Sequence, residues 1–184
     1  MTTVDSQTEP HATAADTVEV RALNGGDSIS RLTHLYHRAY AKQIGLGLRP
    51  LAGRQDESTT RSRAAEGECY IATRRNEILG AVLLNEREHV DFPTLFTRPH
   101  VSHFSMFAVD PREQGAGIGA MLLDAIEHRS IEIGCTRLAM SVAESDQDLI
   151  RYYEKRGFEI VNRWQWPYTN YTSLIMSKEI GPRP

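Results

Sequence analysis

A run of three alternating glycines between an apolar strand and an amphipathic helix is the feature that most constrains this chain. Residues Val101–Val109 predict the strand, and apolar side chains occur at both odd and even positions, as in a strand covered on both faces. Gly115, Gly117 and Gly119 follow it. Apolar residues then recur at helical spacing up to Gly134: Ile118, Met121, Leu122, Ala125, Ile126 and Ile133. The chain therefore predicts a strand–turn–helix unit within a sheet flanked by helices.

The start of that helix has the chemistry of an anion site. The first backbone N–H groups of a helix have no partner within the helix, and the helix dipole adds partial positive charge there. Because glycine lacks a Cβ, an anion can approach the main chain of residues 114–120 closely. Such a terminus binds phosphate or pyrophosphate. This argument gives the group that is bound but does not identify the ligand.

Other interpretations apply to the same loop. A nucleoside triphosphatase loop needs Lys and then Ser or Thr after its last glycine, and Ala120 and Met121 stand there instead. A dinucleotide-binding fingerprint is matched by Gly115, Gly117 and Ala120, with Glu144 as the acid that follows. That fold usually begins with this unit, whereas antiparallel strands are predicted before it here, so the context disfavours it. A tight turn that binds no ligand is a further interpretation, but such a turn needs fewer glycines than the three found here.

Further strands and helices are predicted around this unit. Residues 1–16 are polar without periodicity and predict a disordered tail, so the folded domain is expected over residues 17–180. Asp27 or Ser28 can begin the first helix, and residues 86–100 predict a surface loop. Strands are predicted at 18–23, 69–73, 78–84, 138–142, 158–164 and 171–176, with further helices at 56–66, which is weakly marked, and 146–156.

Two separate motifs resemble those of a known family. Gln114-x-x-Gly117-x-Gly119, preceded by residues 108–111 (Ala-Val-Asp-Pro), resembles the coenzyme A loop of the GNAT superfamily of N-acyltransferases. Residues 146–158, which end in Tyr-Glu-Lys-Arg-Gly-Phe, resemble the second signature of that family, and residues 174–178 resemble its closing strand. The resemblance spans about residues 17–179, with its specific parts in 101–158. The family often has Asn where Asp146 stands.

This resemblance implies a fold and a co-substrate. The fold is a single-domain α/β (α+β) arrangement: a mixed, mostly antiparallel sheet of about six to seven strands, flanked by about four helices and splayed between its two central strands. Acetyl-CoA is the implied co-substrate, and no metal is expected. The implied contacts to its pyrophosphate come from Gln114, Gly115, Ala116, Gly117, Ile118, Gly119 and Ala120, those to its pantetheine arm from Phe107, Ala108 and Val109, and one more from Asp146.

The implied reaction is direct attack of a neutral amine on the thioester in a ternary complex, which needs a proton acceptor and a proton donor. By resemblance, Tyr153 is the expected acid for the departing thiolate, although a tyrosine there can also be a core residue. His103 is either the expected base or a structural histidine, since several family members carry a Glu or His base on this strand. Competing candidates for the base are Glu86, Glu88 and His89, and a water chain is the remaining alternative.

The acceptor pocket implied by the resemblance is built by the first helices, residues 43–50 and the final hairpin. An aromatic cluster lies near that hairpin: Trp164, Trp166, Tyr168 and Tyr171. These rings can hold an alkylammonium by cation–π contact, form a dimer interface, or belong to the core and the turn, and the sequence leaves the three alternatives open. Tyr36 and Tyr40 of the first helix are expected in the core.

Composition limits the partners and the setting. Lys+Arg 21 against Asp+Glu 24 gives a net charge of -3, which argues against a nucleic-acid partner. The sequence has no apolar run long enough for a membrane span and no apolar stretch of a signal peptide, so a cytoplasmic protein is expected. Cys69 and Cys135 lack metal-ligand spacing and predict two reduced thiols.

The expected function is transfer of an acetyl group from acetyl-CoA to a primary amine. A small-molecule amine is preferred, and a protein or peptide amine is the remote alternative. The alternative from a different class is a catalytically silent acyl-CoA-binding module that acts as a sensor or a docking unit. It predicts binding of coenzyme A without release of a thiol. A homodimer is compatible with the sequence.

Overall fold

Seven strands form one open sheet in the part of the chain that the computed structural model describes, residues 16–86, 88 and 91–181. Their order is β1-β2-β3-β4-β5-β7-β6. The strands are β1 (Glu19–Ala22), β2 (Glu68–Arg74), β3 (Glu77–Asn85), β4 (Val101–Val109), β5 (Arg137–Ala143), β6 (Glu159–Trp164) and β7 (Ser173–Glu179). All neighbours pair antiparallel except β4 and β5, which are parallel. The predicted mixed, mostly antiparallel sheet is confirmed, while the predicted tail lies outside the described residues apart from Asp16.

Five α-helices occur in the same ranges, one more than expected. They are α1 (Ile29–Ala39), α2 (Ala41–Gly45), α3 (Glu57–Ala64), α4 (Ile118–Glu132) and α5 (Gln147–Glu154). The additional helix is α2, which is short and follows α1 directly. Short 3-10 turns lie at Thr94–Thr97, within the predicted surface loop, and at Pro111–Glu113. None of the described helices is long and apolar enough to cross a bilayer.

Side-chain caps explain where three of the helices begin. The side chains of Ser28, Asp56 and Asp146 each accept a hydrogen bond from the backbone N–H three residues further on, at 3.3, 2.7 and 3.2 Å. These bonds start α1, α3 and α5. The cap at Asp56 accounts for α3, whose sequence carries little apolar pattern. Asp146 is therefore a cap that precedes α5, where the sequence predicted the first residue of the helix.

Turn geometry sets the ends of β2, β3 and β7. Arg75 and Asn76 have φ of 50° and 63°, the left-handed geometry of a tight hairpin turn, and they join β2 to β3 as predicted. β7 begins at Ser173, two residues later than predicted. The hydroxyl of Thr169 donates to the carbonyl of Tyr171 at 3.2 Å, which keeps the residues before Ser173 in the turn.

The hydrophobic core lies on both faces of the sheet. On one face, α4 and α5 contribute to a cluster that includes Leu122 and Ile126. On the opposite face, α1 supplies Leu32 to a second cluster. β4 serves both, with Phe107 and Val109 packed against the first and Met106 and Ala108 in the second, which explains why its apolar residues occupy both parities.

The sheet opens between β4 and β5. These strands are paired only from Val101 opposite Arg137 to Phe104 opposite Met140. Beyond Phe104 the register of β4 against β3 shifts and Met106 takes a φ of 50°, as in a β-bulge. The second halves of β4 and β5 are therefore not paired with each other, and the predicted splay between the two central strands is confirmed.

Candidate active site

A cavity of about 1640 Å³ occupies the opening between β4 and β5. It is lined by every residue predicted for the site except Ala116, so residues from β4, the glycine loop and α5 meet there. Glu88, a competing candidate for the base, also lines it, whereas Glu86 does not. The third competitor, His89, lies outside the described residues.

The glycine loop presents bare amide groups at the start of α4. Gly117 precedes the helix with a φ of 82° and no side-chain cap, a conformation that favours glycine. Among the described residues, no protein acceptor is found for the N–H groups of Gly117, Ile118, Gly119 and Ala120. The N–H of Ala116 instead donates to the carbonyl of Glu113 at 3.3 Å. Four successive amides at the positive end of a helix therefore remain for an anion.

Gly119 is required by close packing rather than by its backbone angle. A Cβ at this position would lie 2.9 Å from Oη of Tyr152 and 3.3 Å from Cζ of Phe107. The first of these distances is too short for any real side chain, so α5 and β4 both press against the loop at this point. The position of the loop is thus fixed by the second motif as well as by its own sequence.

Asp110 fixes the other end of the loop. Its carboxylate is fully buried and accepts hydrogen bonds from Nη2 of Arg38 at 2.7 Å and from Nη2 of Arg112 at 2.9 Å. It also accepts from the backbone N–H of Arg112 at 3.0 Å and so caps the Pro111–Glu113 turn. The guanidinium of Arg112, and then that of Arg38, holds the pKa of Asp110 well below its usual range. The sequence indicated no role for Asp110 beyond its place in residues 108–111, which precede the loop motif.

Arg156 is a cation of the cavity that sequence reasoning missed. Of the other cationic residues described as lining the cavity, Arg38 pairs with Asp110, Lys42 pairs with Asp148, and Arg63 donates to Oε1 of Gln55. The guanidinium of Arg156 has no carboxylate partner among the described residues and lies 3.5 Å from the centre of the Tyr152 ring. Because Tyr152 contacts Gly119, this places an uncompensated positive charge beside the glycine loop.

The edge of β4 that faces the opening carries main-chain groups. The N–H of Asp110 donates to the carbonyl of Leu79 on β3 at 2.8 Å. Main-chain groups alternate sides along a strand, so those of Val109 point towards the opening. The carbonyl of Phe107 accepts from the hydroxyl of Tyr40 at 3.1 Å, and burial raises the pKa of that phenol to about 12. Tyr40, which was expected in the core, packs against the second cluster and also lines the cavity.

Tyr153 lies deep in the cavity wall. It is only 1% exposed, and its ring packs against those of Phe104, Phe107 and Phe158. Its hydroxyl has no hydrogen-bond partner in the described part of the chain. Burial raises the pKa of Tyr153 well above the ordinary value, so the phenol keeps its proton at neutral pH. The raised pKa makes the Tyr153 phenol a weaker acid than a solvated phenol. Burial also raises the pKa of the thiol that leaves.

His103 and Glu88, predicted as alternatives, are paired. Nε2 of His103 lies 2.9 Å from Oε1 of Glu88, and Phe96 stacks on the imidazole with ring centres 4.2 Å apart and planes 5° from parallel. Because a carboxylate only accepts, Nε2 carries the hydrogen and the lone pair of a neutral ring is on Nδ1. Nδ1 has no partner among the residues that the structure describes, and it can accept a proton.

The far end of the cavity has an aromatic wall. Trp166 stacks on Tyr168 and meets Phe92 edge to face, with ring centres 5.7 Å apart in both pairs. The indole N–H of Trp166 donates to Oγ of Ser141 at 3.3 Å. Tyr171 also lines the cavity, whereas Trp164 packs behind it against the core.

Asn170 joins the two loops that border this end. Its Oδ1 accepts from the N–H of Arg49 at 2.8 Å, and its Nδ2 donates to the carbonyl of Gly47 at 2.9 Å. Nη2 of Arg54 donates to the carbonyl of Tyr168 at 2.7 Å. These contacts tie the α2–α3 loop to the β6–β7 loop across the cavity rim.

The thiols and the acidic groups offer no other reactive centre in the described ranges. Cys69 and Cys135 do not line the cavity, and burial raises the pKa of Cys69 to about 12, which keeps that thiol protonated. Within those ranges, no group of three or more His, Cys, Asp and Glu side chains is arranged as a metal site.

An open sheet whose parallel central strands diverge beside a helix with bare amides is the arrangement of the acyl-CoA-dependent transferases. The sequence profile of the Acetyltransferase (GNAT) family matches residues 30–158, and the chain belongs to that family. The family uses acetyl-CoA as the acetyl donor. No curated protein sequence matches the chain significantly.

Solved structures show the same fold at low sequence identity. The ribosomal-protein-S18-alanine N-acetyltransferase from Escherichia coli has a TM-score of 0.68 at 18% identity, over 91% of this chain and 97% of that chain. Ard1 from Thermoplasma volcanium has a TM-score of 0.68 at 16% identity, over 90% and 99%. A GNAT family acetyltransferase from Elizabethkingia anophelis with acetyl-CoA bound has a TM-score of 0.60 at 18% identity, over 90% and 99%.

Proposed function

We propose that this protein is an N-acetyltransferase that moves the acetyl group of acetyl-CoA to the primary amine of a small molecule by direct attack in a ternary complex. The observation that supports it most is that Tyr153 and the His103–Glu88 pair line one cavity with the glycine loop. Bound acetyl-CoA supplies a thioester, whose C–S bond breaks as the amine nitrogen forms the new C–N bond.

The site has groups suited to the acetyl donor. The bare amides from Gly117 to Ala120 suit its pyrophosphate, and Arg156 adds a positive charge beside them. The main chain of Val109 on the open edge of β4 suits the amides of the pantetheine arm, which would pair with it as an added strand does. Gln114 and Asp146 also line the cavity, and the side chain of Asp146 is already engaged as the cap of α5.

His103 acts as the base in this proposal. An alkyl ammonium must lose a proton before its nitrogen can attack, and Nδ1 of His103 is available for that proton. Glu88 holds the ring in the tautomer that leaves Nδ1 free and stabilises the imidazolium that forms. Phe96 restricts the ring to the same orientation.

Tyr153 acts as the acid. Its hydroxyl keeps its proton and has no competing partner among described groups, so it can donate to the sulfur as the C–S bond breaks. The ring of Tyr153 packs against those of Phe104 and Phe158, which fixes the position of that donor. Proton transfer during bond cleavage avoids an unstable buried thiolate.

The contacts across the rim favour a small acceptor. Asn170 ties the two bordering loops together, which limits how much of a folded macromolecule can enter. The structural neighbour from E. coli acts on an alanine of a ribosomal protein, and peptide amines therefore belong in the test.

The test follows free thiol release from acetyl-CoA with a panel of small amines and peptides. We expect turnover with at least one small primary amine, and Tyr153→Phe should reduce its rate by about 10² while coenzyme A still binds. The matched control is Tyr70→Phe, because the Tyr70 hydroxyl bonds to Glu68 outside the cavity. Binding of coenzyme A without thiol release for every amine would support the silent module instead.

A further inference from the structure

Arg63 is a cation of the cavity that the proposed chemistry does not use. It lies on α3, and four further polar residues of that helix line the cavity with it: Ser58, Thr59, Ser62 and Glu66. Residues three and four apart share one face of a helix, so α3 turns a polar face to the cavity. A guanidinium on such a face is in position to meet a group of the acceptor.

A buried polar network holds one edge of this guanidinium. Nη1 of Arg63 donates to Oε1 of Gln55 at 2.8 Å, and Gln55 is only 3% exposed. Nε2 of Gln55 donates in turn to Oγ1 of Thr60 at 2.9 Å, and the hydroxyl of Thr33 on α1 lies 2.8 Å from the same oxygen. Because connected buried hydrogen bonds restrict their members, the network positions Arg63 before any ligand binds.

The other edge of the guanidinium, formed by Nε and Nη2, has no acceptor among the described residues. The same edge of other arginines in this protein binds carboxylates. Nε and Nη2 of Arg129 donate to Glu68 at 2.9 and 2.8 Å. Those of Arg112 donate to the two oxygens of Asp110 at 3.0 and 2.9 Å. Since this planar pair of donors matches the two oxygens of a carboxylate, Arg63 has the donors for one more.

The charge of Arg63 is not neutralised by a carboxylate of the described residues. Glu66 lies one turn further along α3 and forms no ion pair with Arg63. The other acids that line the cavity have different partners: Glu88 with His103, Glu113 with Arg74, Asp146 with Gln43 and Asp148 with Lys42. An anionic group on the acceptor would therefore meet an uncompensated cation.

The guanidinium lies at the end of the cavity that carries the aromatic wall. Burial raises the pKa of Tyr40 to about 12, and the nearby charge of Arg63 opposes that rise. Burial raises the pKa of Tyr168 as well, and Arg63 opposes this too. The Tyr40 hydroxyl bonds to the carbonyl of Phe107 on β4, and Tyr168 stacks on Trp166. Arg63 is therefore close both to the open stretch of β4 and to the aromatic wall.

We propose that Arg63 binds a carboxylate of the acceptor through its Nε and Nη2 groups, so that the substrate is a small primary amine that also carries a carboxylate. This rests on the proposed function and narrows its substrate class. The carboxylate anchors one end of the acceptor at α3, and the amino group at the other end is left to reach the thioester.

The experiment measures kcat/KM by thiol release for pairs of amines that differ in this one group. Glycine, β-alanine, γ-aminobutyrate, δ-aminovalerate and the common L-α-amino acids are each compared with their carboxamides, which have nearly the same size but lack the charge. We expect the carboxylate of the best pair to be preferred about tenfold or more. Arg63→Gln should reduce that preference to about threefold or less, mainly through a higher KM for the carboxylate, and leave the carboxamide within about threefold of wild type. Arg63→Lys, which keeps the charge without the planar pair of donors, should retain part of the preference.

Arg61→Gln is the matched control, since Arg61 is exposed on the same helix and does not line the cavity. The inference is overturned if the wild type uses carboxamides as well as carboxylates, or if Arg63→Gln keeps the preference that Arg61→Gln shows. If Arg63→Gln does not fold, Arg63→Lys decides: a preference below that of the wild type but still present supports the inference, and any other result overturns it. Thiol release confined to amines without a carboxylate overturns this inference alone, whereas absence of thiol release with every amine overturns the proposed function and this inference with it.

Discussion

The hydroxyl of Tyr152 occupies the space that a Cβ on Gly119 would need, 2.9 Å from where that atom would stand. The loop and α5 are therefore in direct contact at the point where the helix presents its amides. The two motifs are more than 30 residues apart in the sequence, yet through this contact each helps to position the other. This contact makes the glycine loop sensitive to a single methyl group.

Gly119→Ala is expected to weaken binding of coenzyme A by about tenfold or more, because the loop must move away from Tyr152 and its amides lose their alignment. Isothermal titration with coenzyme A checks this. Tyr152→Phe in the Gly119→Ala background should recover part of the loss, because it removes the atom that clashes. Gly25→Ala is the control, since a Cβ there meets nothing within 4 Å. Equal affinities for Gly119→Ala and Gly25→Ala would contradict the contact.

Glu88→Gln is expected to reduce kcat by about 10², because a glutamine amide can donate to Nε2 and so favour the tautomer in which Nδ1 already carries a hydrogen. The measurement is kcat at saturating amine and acetyl-CoA. The matched control is Glu86→Gln, at an exposed acid two residues earlier that does not line the cavity. A larger loss of kcat for Glu86→Gln than for Glu88→Gln would show that Glu86, and not Glu88, supports His103.

The sequence predicted those parts of the site whose residues belong to one local motif, and it missed contacts between residues that are distant along the chain. The glycine loop and Tyr153 were predictable because each belongs to a local motif whose spacing fixes its geometry. The pairing of His103 with Glu88 was not, because it depends on how residues 86–100 return to the sheet, and no periodicity marks that path. The sequence set these two residues against each other as alternatives, whereas the structure pairs them.

The sequence also could not show which aromatic side chains pack in the core and which line the cavity. Trp164 and Trp166 are two residues apart, so the alternation of a strand would put both on the same face. The first nevertheless packs behind the cavity and the second lines it. β6 ends at Trp164, so Trp166 lies in the following turn, where the alternation of a strand no longer applies. Tyr40 illustrates the same limit, because a helix-end tyrosine can serve the core or the cavity.

Asp110→Asn is expected to lower the free energy of unfolding by about 2 kcal/mol at neutral pH. This lies below the largest effects of broken buried pairs because the side chains of Arg38 and Arg112 are 42% and 73% exposed. The folded-state pKa of Asp110 is depressed, so its stabilisation is complete above the unfolded pKa of about 3.9 and is lost as pH falls towards the folded value. The difference between wild type and variant should therefore shrink below about pH 4.

Urea unfolding from pH 7 down to about pH 3 measures this difference. Asp148→Asn serves as the control, because the Asp148 side chain is 71% exposed and its solvent-screened ion pairs should contribute little to stability. A difference for Asp110→Asn that stays constant or grows in acid would contradict the role of the ionised carboxylate.

Arg156→Gln is expected to weaken coenzyme A binding roughly tenfold at low salt, since the guanidinium beside Tyr152 is the described cavity cation without a carboxylate partner near the loop. The difference in coenzyme A affinity between wild type and variant should decrease as salt rises, because screening weakens the attraction of Arg156 to phosphate in the wild type. Acetyl-pantetheine, which lacks the phosphates, should react equally well with wild type and variant. The control is Arg151→Gln on the same helix, where the arginine pairs with Asp148 in solvent and does not line the cavity. Equal losses for the two variants would show a general charge effect, and an equal loss with acetyl-pantetheine would show that Arg156 supports the helix rather than the phosphates.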